Sequence, residues 1–183
     1  MGVDKLALPW GAGSILSHVV QMVAQQVDRT LVVLGPRSAN LASTIDPRAQ
    51  TLLLPRQTPD MRATIVAGLE ALVDEVDPNT GLLFLPADQP HLANDLIRQV
   101  VDTYRQQPGH LVVPVFGERR GHPIAIPLQV FRGISSLPVD RGLNHLVREH
   151  ADRTILLPWT DAGLLDDIDE PGDYARLRSE RKA

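Results

Sequence analysis

Two acidic clusters in this sequence have the residue types and settings to meet a cation. Pro86-Ala87-Asp88-Gln89-Pro90 follows the apolar run Gly81 to Leu85, so Asp88 stands at the tip of a buried strand between two prolines. A carboxylate fixed there can hold a divalent cation, since magnesium takes one or two carboxylates and fills its other positions with water and phosphate oxygens. The same residue can instead cap a helix beginning near Pro90. Asp166-Asp167-Ile168-Asp169-Glu170-Pro171 places three aspartates within four positions. Such a run is either a solvated acidic turn or a cluster compensated by a cation or a helix amino terminus. Converging with Asp88, it would give the paired carboxylates of a magnesium–nucleotide site.

Basic groups could supply the anion side of such a site. Lys5 precedes the Gly11-Ala12-Gly13 turn and could meet phosphate. No strand leads into that turn, so it is neither a Walker loop nor a dinucleotide fingerprint. Arg119-Arg120-Gly121-His122-Pro123 is a basic turn whose arginines either bind an anionic substrate or decorate a hairpin. The six histidines show no metal-ligand spacing, and His145 and His150 are separated around a helix. With no cysteine and no Gly-x-Ser-x-Gly elbow, thiol chemistry, zinc–thiolate sites and serine hydrolysis have no support.

The elements that would position these groups alternate along the chain. Strands are expected at Thr30–Gly35, Thr51–Leu54, Gly81–Leu85, His110–Phe116, Pro123–Ile126 and Thr154–Leu157. Pro114 pushes the fourth of these toward an edge or a bulge. Apolar stripes at helical spacing run over Ile15–Val23, Met61–Val76 and Leu92–Tyr104, and Asp140–His150 and Pro171–Arg181 also read as helices. Near-continuous apolar strands alternating with helices mean an α/β fold with a mostly parallel sheet covered on both faces. Ligands bind such sheets at the carboxyl ends of the strands, where Asp88 falls. The 183 residues make one domain, 1–183, without repeat or linker. A formal net charge of −4 lowers nucleic acid in rank as a partner. The absence of a long apolar run or a signal-like amino terminus gives no membrane partner and a cytoplasmic expectation.

Taken in order, these motifs resemble the MobA-like nucleotidyltransferases, within them the molybdenum cofactor cytidylyltransferase branch. Met1-Gly2-Val3-Asp4-Lys5 matches the tail of the family's Leu-Ala-Ala-Gly-x-Ser-x-Arg-Met-Gly-x-x-Lys signature. Asp60-Met61-Arg62-Ala63-Thr64 with Ala67-Gly68-Leu69 resembles the helix start near the nucleotide base. Ala87-Asp88-Gln89-Pro90 resembles the family's Gly-Asp-Gln-Pro metal motif, and Arg120-Gly121-His122-Pro123 its Arg-Gly-Asn/His-Pro turn. Asp140-Arg141-Gly142 and Asp167-Ile168-Asp169-Glu170-Pro171 resemble the two carboxy-terminal signatures.

The resemblance implies a Rossmann-like three-layer sandwich of the nucleotide-diphospho-sugar transferase type. It implies Mg2+-dependent transfer of CMP or GMP from CTP or GTP to an anionic phosphorylated acceptor such as molybdopterin, with release of pyrophosphate. Asp88 and Asp169 would hold the metal, with Lys5 and Asp88 as catalytic groups. Lys5, Met61, Arg62 and Thr64 would meet the nucleotide, and Arg119, Arg120 and His122 the acceptor. Three departures stand out: Ala87 replaces the family glycine, Arg62 and Ala63 replace serines, and the signature's first strand and Leu-Ala-Ala-Gly turn are missing. That strand is central in the family, so its absence is expected to leave two inner sheet edges bare. The competing expectation is therefore a catalytically impaired nucleotide-binding or interaction module, partnered by a molybdenum enzyme or a second copy.

Overall fold

The computed structural model describes residues 4–72, 75–77, 80–138 and 141–180. The expected match at Met1-Gly2-Val3, and the positions of Asp140 and Arg181, lie outside these residues.

The chain opens with a tight hairpin of β1 (Pro9–Trp10) and β2 (Gly13–Ser14), turned at Gly11, whose φ of 62° suits glycine. Ser14 and Ser17 form a reciprocal capping box that starts α1 (Ile15–Ala24). Then come β3 (Leu31–Leu34), a 3-10 stretch over Pro36–Thr44, β4 (Gln50–Leu53) and α2 (Met61–Leu72). β5 (Gly81–Phe84) leads through the Asp88 turn to α3 (Asn94–Gln106), followed by β6 (Leu111–Phe116), β7 (Arg119–Arg120) and β8 (Ile124–Pro127). α4 (Leu128–Phe131), α5 (Leu143–Glu149), β9 (Thr154–Pro158) and α6 (Pro171–Glu180) complete the order.

Strand pairing gives the architecture its directions. β8 lies antiparallel between β5 and β6, so β5 and β6 run the same way, and β9 joins β6 in parallel. β3 and β4 form a separate parallel pair. The major strands are thus mostly parallel, with β8 reversed. Alternation along β6 buries it on both faces. Leu111 and Val113 pack with Leu69 of α2 and with α4 and α5, whereas Val112 packs with Leu96 and Val100 of α3. Helices on both sides of the sheet make the three-layer sandwich.

Among the described residues, β3 pairs with β4 alone and β5 with β8 alone, so no ladder joins the two sheets. Helix α1 spans the two sheets through its sides. Leu16 and Val20 pack with Val32 and Leu34 of β3, while Val19 and Met22 pack with Ile97 and Leu83.

Pro114 is a correction to the edge reading, because β6 is interior and Pro114 pairs with Leu157 of β9. Its carbonyl accepts from Gly121 N–H at 2.8 Å, so its nitrogen faces that same side, where β6 meets β8 at the single pair Val112–Ala125. The missing donor therefore falls where the ladder has already opened. No helix among the described residues is long and apolar enough to cross a membrane.

Candidate active site

Asp4 caps the short 3-10 turn Lys5–Ala7, its Oδ1 accepting from Leu6 N–H at 3.0 Å while Ser38 Oγ donates to Oδ2. This fixes the backbone from which Lys5 extends. Its Nζ donates to Asp88 Oδ2 at 2.9 Å and to Asp169 Oδ1 at 2.8 Å. Two carboxylates 81 positions apart in sequence thereby meet at one cationic atom.

The Asp88 turn is joined by two hydrogen bonds to the acidic segment and by a third to the 3-10 turn Ala162–Leu165 before it. Ile168 N–H donates to Asp88 O at 3.2 Å, Gln89 Nε2 donates to Asp166 O at 3.0 Å, and His91 Nε2 lies 2.9 Å from Gly163 O. Ile168 is fully buried with Trp10, Ile15 and Leu177 and anchors the acidic run between its charges. Asp173 Oδ2 accepts from the N–H groups of Asp169 and Glu170, so the start of α6 fixes the last aspartate. Helix α3 begins at Asn94 with Ala93 as its cap, so Asp88 caps no helix and its carboxylate is turned to Lys5 instead.

Beside these groups lies a cavity of about 250 Å3, bounded by Met61, Asp88, Gln89, Arg119, Arg120, His122, Leu164 and Asp167. Arg119 and Arg120 form strand β7 against β6, as the hairpin reading expected, and they also line this cavity. Gly121 is required there, because a Cβ would lie 2.4 Å from Leu164 Cγ and 2.8 Å from its carbonyl oxygen. His122 meets Phe84 edge-on at 5.6 Å between centroids.

Charge states follow from the surroundings. Burial works to lower the Lys5 pKa, but the hydrogen bonds and charges of Asp169 and Asp88 outweigh it and hold the ammonium above its usual range. Burial lowers His122 to about 4, with the Asp88 carboxylate opposing only in part, so its ring is neutral at pH 7. Asp167 is raised, first by burial and then by repulsion from Asp169 and Asp88. A second cleft of about 240 Å3, between β4 and the end of α2, brings together one ionisable group, Glu75, which is paired with Arg29. No comparable convergence of charges occurs there.

The helix-start residues divide. Met61 is exposed at the cavity rim. The Arg62 guanidinium donates to the carbonyls of Ile134, Ser135 and Leu137 at 3.2, 3.1 and 2.8 Å. Thr64 Oγ1 bonds Thr58 Oγ1 at 2.6 Å. Arg141, from the first carboxy-terminal signature, contacts His145 at 2.9 Å on the surface and is not among the cavity's lining residues. Gln89 and Ile168 were not singled out as site residues in the sequence. The signal for Ile168 was an apolar residue inside an acidic run, and that for Gln89 was its place in the Ala87-Asp88-Gln89-Pro90 motif.

The oxygen donors suit a hard cation, since the two carboxylates already converge on one charge. Among the described residues no third histidine, cysteine or acid completes a group of three, so such a cation would take its remaining ligands from water and phosphate. A family model described as the MobA-like NTP transferase domain matches residues 1–154. The chain belongs to this family. No curated protein gives a significant match. Among solved structures, this MobA-like chain is similar to a manganese complex of Rv0371c from Mycobacterium tuberculosis H37Rv, with 22% identity and a TM-score of 0.78 over 97% of this chain and 93% of that one. A nucleotidyl transferase from Methanothermobacter gives 21% identity and a TM-score of 0.78 over 99% and 87%. A 4-diphosphocytidyl-2C-methyl-D-erythritol synthase gives 14% and 0.75 over 96% and 93%. These likenesses show the nucleotide-diphospho-sugar transferase type of fold, and family membership supports a nucleotidyltransferase-type function.

Proposed function

We propose that the protein transfers CMP or GMP from CTP or GTP to a phosphorylated acceptor, with molybdopterin the first candidate. An acceptor phosphate oxygen attacks the α-phosphorus, the bond from that phosphorus to the β-phosphate bridging oxygen breaks, and pyrophosphate leaves. The observation that carries this reading is the meeting of Asp88 and Asp169 at the Lys5 ammonium, with Asp88 also lining a cavity that presents Arg119 and Arg120.

In this reading Asp88 and Asp169 hold a divalent cation, magnesium or manganese, which would screen the triphosphate and the charge that builds on the leaving group. The Lys5 ammonium, charged throughout the physiological range, meets a phosphate oxygen. Arg119 and Arg120 draw in the acceptor's anionic group, and the neutral His122 with Leu164 forms the less polar wall. Met61 borders the nucleotide side from the rim. Arg62 supports that side through the 132–137 turn, and Thr64 through Thr58. The protein's work is positioning and charge neutralisation.

The test is product formation from labelled CTP and GTP with molybdopterin and with 2-C-methyl-D-erythritol 4-phosphate. A nucleotidylated product and one pyrophosphate per turnover are expected with one acceptor. No product from either nucleotide with either acceptor, in protein shown to bind nucleotide, removes the reading.

A further inference from the structure

The contact that defines the site also constrains how it fills. Lys5 Nζ lies 2.9 Å from Asp88 Oδ2 and 2.8 Å from Asp169 Oδ1, so both inward oxygens are engaged by one ammonium. Magnesium binds its oxygen ligands at about 2.0–2.1 Å. A cation at that distance from the same two oxygens would sit against the ammonium, and like charges in contact repel. The two occupants exclude each other.

We propose that Lys5 competes with the divalent cation for Asp88 and Asp169, and that it holds the two carboxylates together until a triphosphate offers the ammonium another anionic partner. This rests on the nucleotidyl-transfer reading of the site. The mechanics suit it: Asp4 and Ser38 pin the Lys5 backbone, and the four-carbon stem can swing while that turn stays in place. Both side chains at the contact with Asp169 retain access to solvent, so exchange needs no unfolding. The consequence is coupling. Metal alone must expel a paired lysine, whereas metal arriving with a nucleotide finds that lysine drawn toward phosphate, so metal and nucleotide bind with positive cooperativity.

The experiment uses the full chain labelled with [ε-13C]lysine, whose lysines are Lys5 and Lys182. Mg2+ is titrated without nucleotide while the two resonances are followed, and Mn2+ binding is measured in parallel by electron paramagnetic resonance. The Lys5 resonance is expected to move to the free-lysine position along the metal-binding curve, with Lys182 fixed. Lys5→Met is expected to tighten nucleotide-free Mn2+ binding about tenfold. Saturation with metal while the Lys5 resonance stays in place overturns the proposal, as does Lys5→Met binding Mn2+ no more tightly than the parent. Where that variant fails to fold, the wild-type titration decides alone. Asp88→Asn separates the two levels of the argument. If it abolishes metal binding while Lys5 of the metal-saturated parent stays in place, only the competition falls; if metal binding survives it, the site reading falls as well.

Discussion

Gln89 donates through Nε2 to the carbonyl of Asp166 at 3.0 Å, one residue along from Asp88 on one side and three residues before Asp169 on the other. This amide, only 6% exposed, sets the spacing of the two carboxylates by joining the loops that carry them. Gln89→Leu keeps the volume and removes the donor, leaving Asp166 O without it. The expected results are a stability loss of about 1–2 kcal/mol by urea unfolding and Mn2+ binding weakened about tenfold. A variant equally destabilised but unchanged in metal affinity would show that the loops keep their spacing without this bond.

Asp88→Asn tests the metal pair directly. Its side chain remains about the same size but loses the charge that both Lys5 and a cation need. Transfer is expected to fall at least about 100-fold. Unfolding free energy should change by less than about 1 kcal/mol, because the lost ion pair is partly exposed. The check is initial pyrophosphate release beside a denaturation curve of the same preparation.

The strands and long helices were legible because β-branched runs such as Leu31–Leu34 and the 3.6-residue stripe of α3 carry their own periodicity. The hairpin at Pro9–Ser14 was not, since two-residue strands are too short to show alternation. The 3-10 stretch Pro36–Thr44 has a sequence of small polar and apolar residues with no clear face. Asp88 and Asp169 could be named from their motifs, but the Asp88 alternatives were decided only by where α3 begins and where Lys5 reaches. Arg62 shows the opposite case. Its place in a motif suggested the nucleotide, while its hydrogen bonds to three carbonyls depend on a turn some seventy residues away, which no local pattern encodes.

His122 makes stability depend on acid pH. Its folded pKa of about 4 lies below the ordinary value of 6.5, so the unfolded chain binds the extra proton between those two values. Its contribution is therefore fully present above about pH 6.5 and is lost as pH falls toward 4. The loss is on the order of 2–3 kcal/mol. His122→Phe is expected to flatten that part of the curve relative to the parent, read as the difference in urea midpoints at pH 4.5 and 7.5. Equal slopes in the two proteins would mean that other groups dominate the acid side.

Arg62→Ala separates support from recognition at the start of α2. The guanidinium satisfies the carbonyls of Ile134, Ser135 and Leu137, and the 132–137 turn packs Ile134 into the core with Leu146. Truncation leaves Ile134 O and Leu137 O without that charged donor, and the expected destabilisation is about 1–3 kcal/mol. Two kinetic outcomes discriminate. If Arg62 acts through the turn, KM for the nucleotide rises no more than about threefold at temperatures where the variant is folded, and Arg62→Lys restores little, because one ammonium cannot reach three carbonyls in the fork that arginine provides. If Arg62 instead contacts the nucleotide, KM rises tenfold or more, and Arg62→Lys recovers a large part of the loss. Thermal melts and KM values for CTP and GTP on the three proteins decide between them.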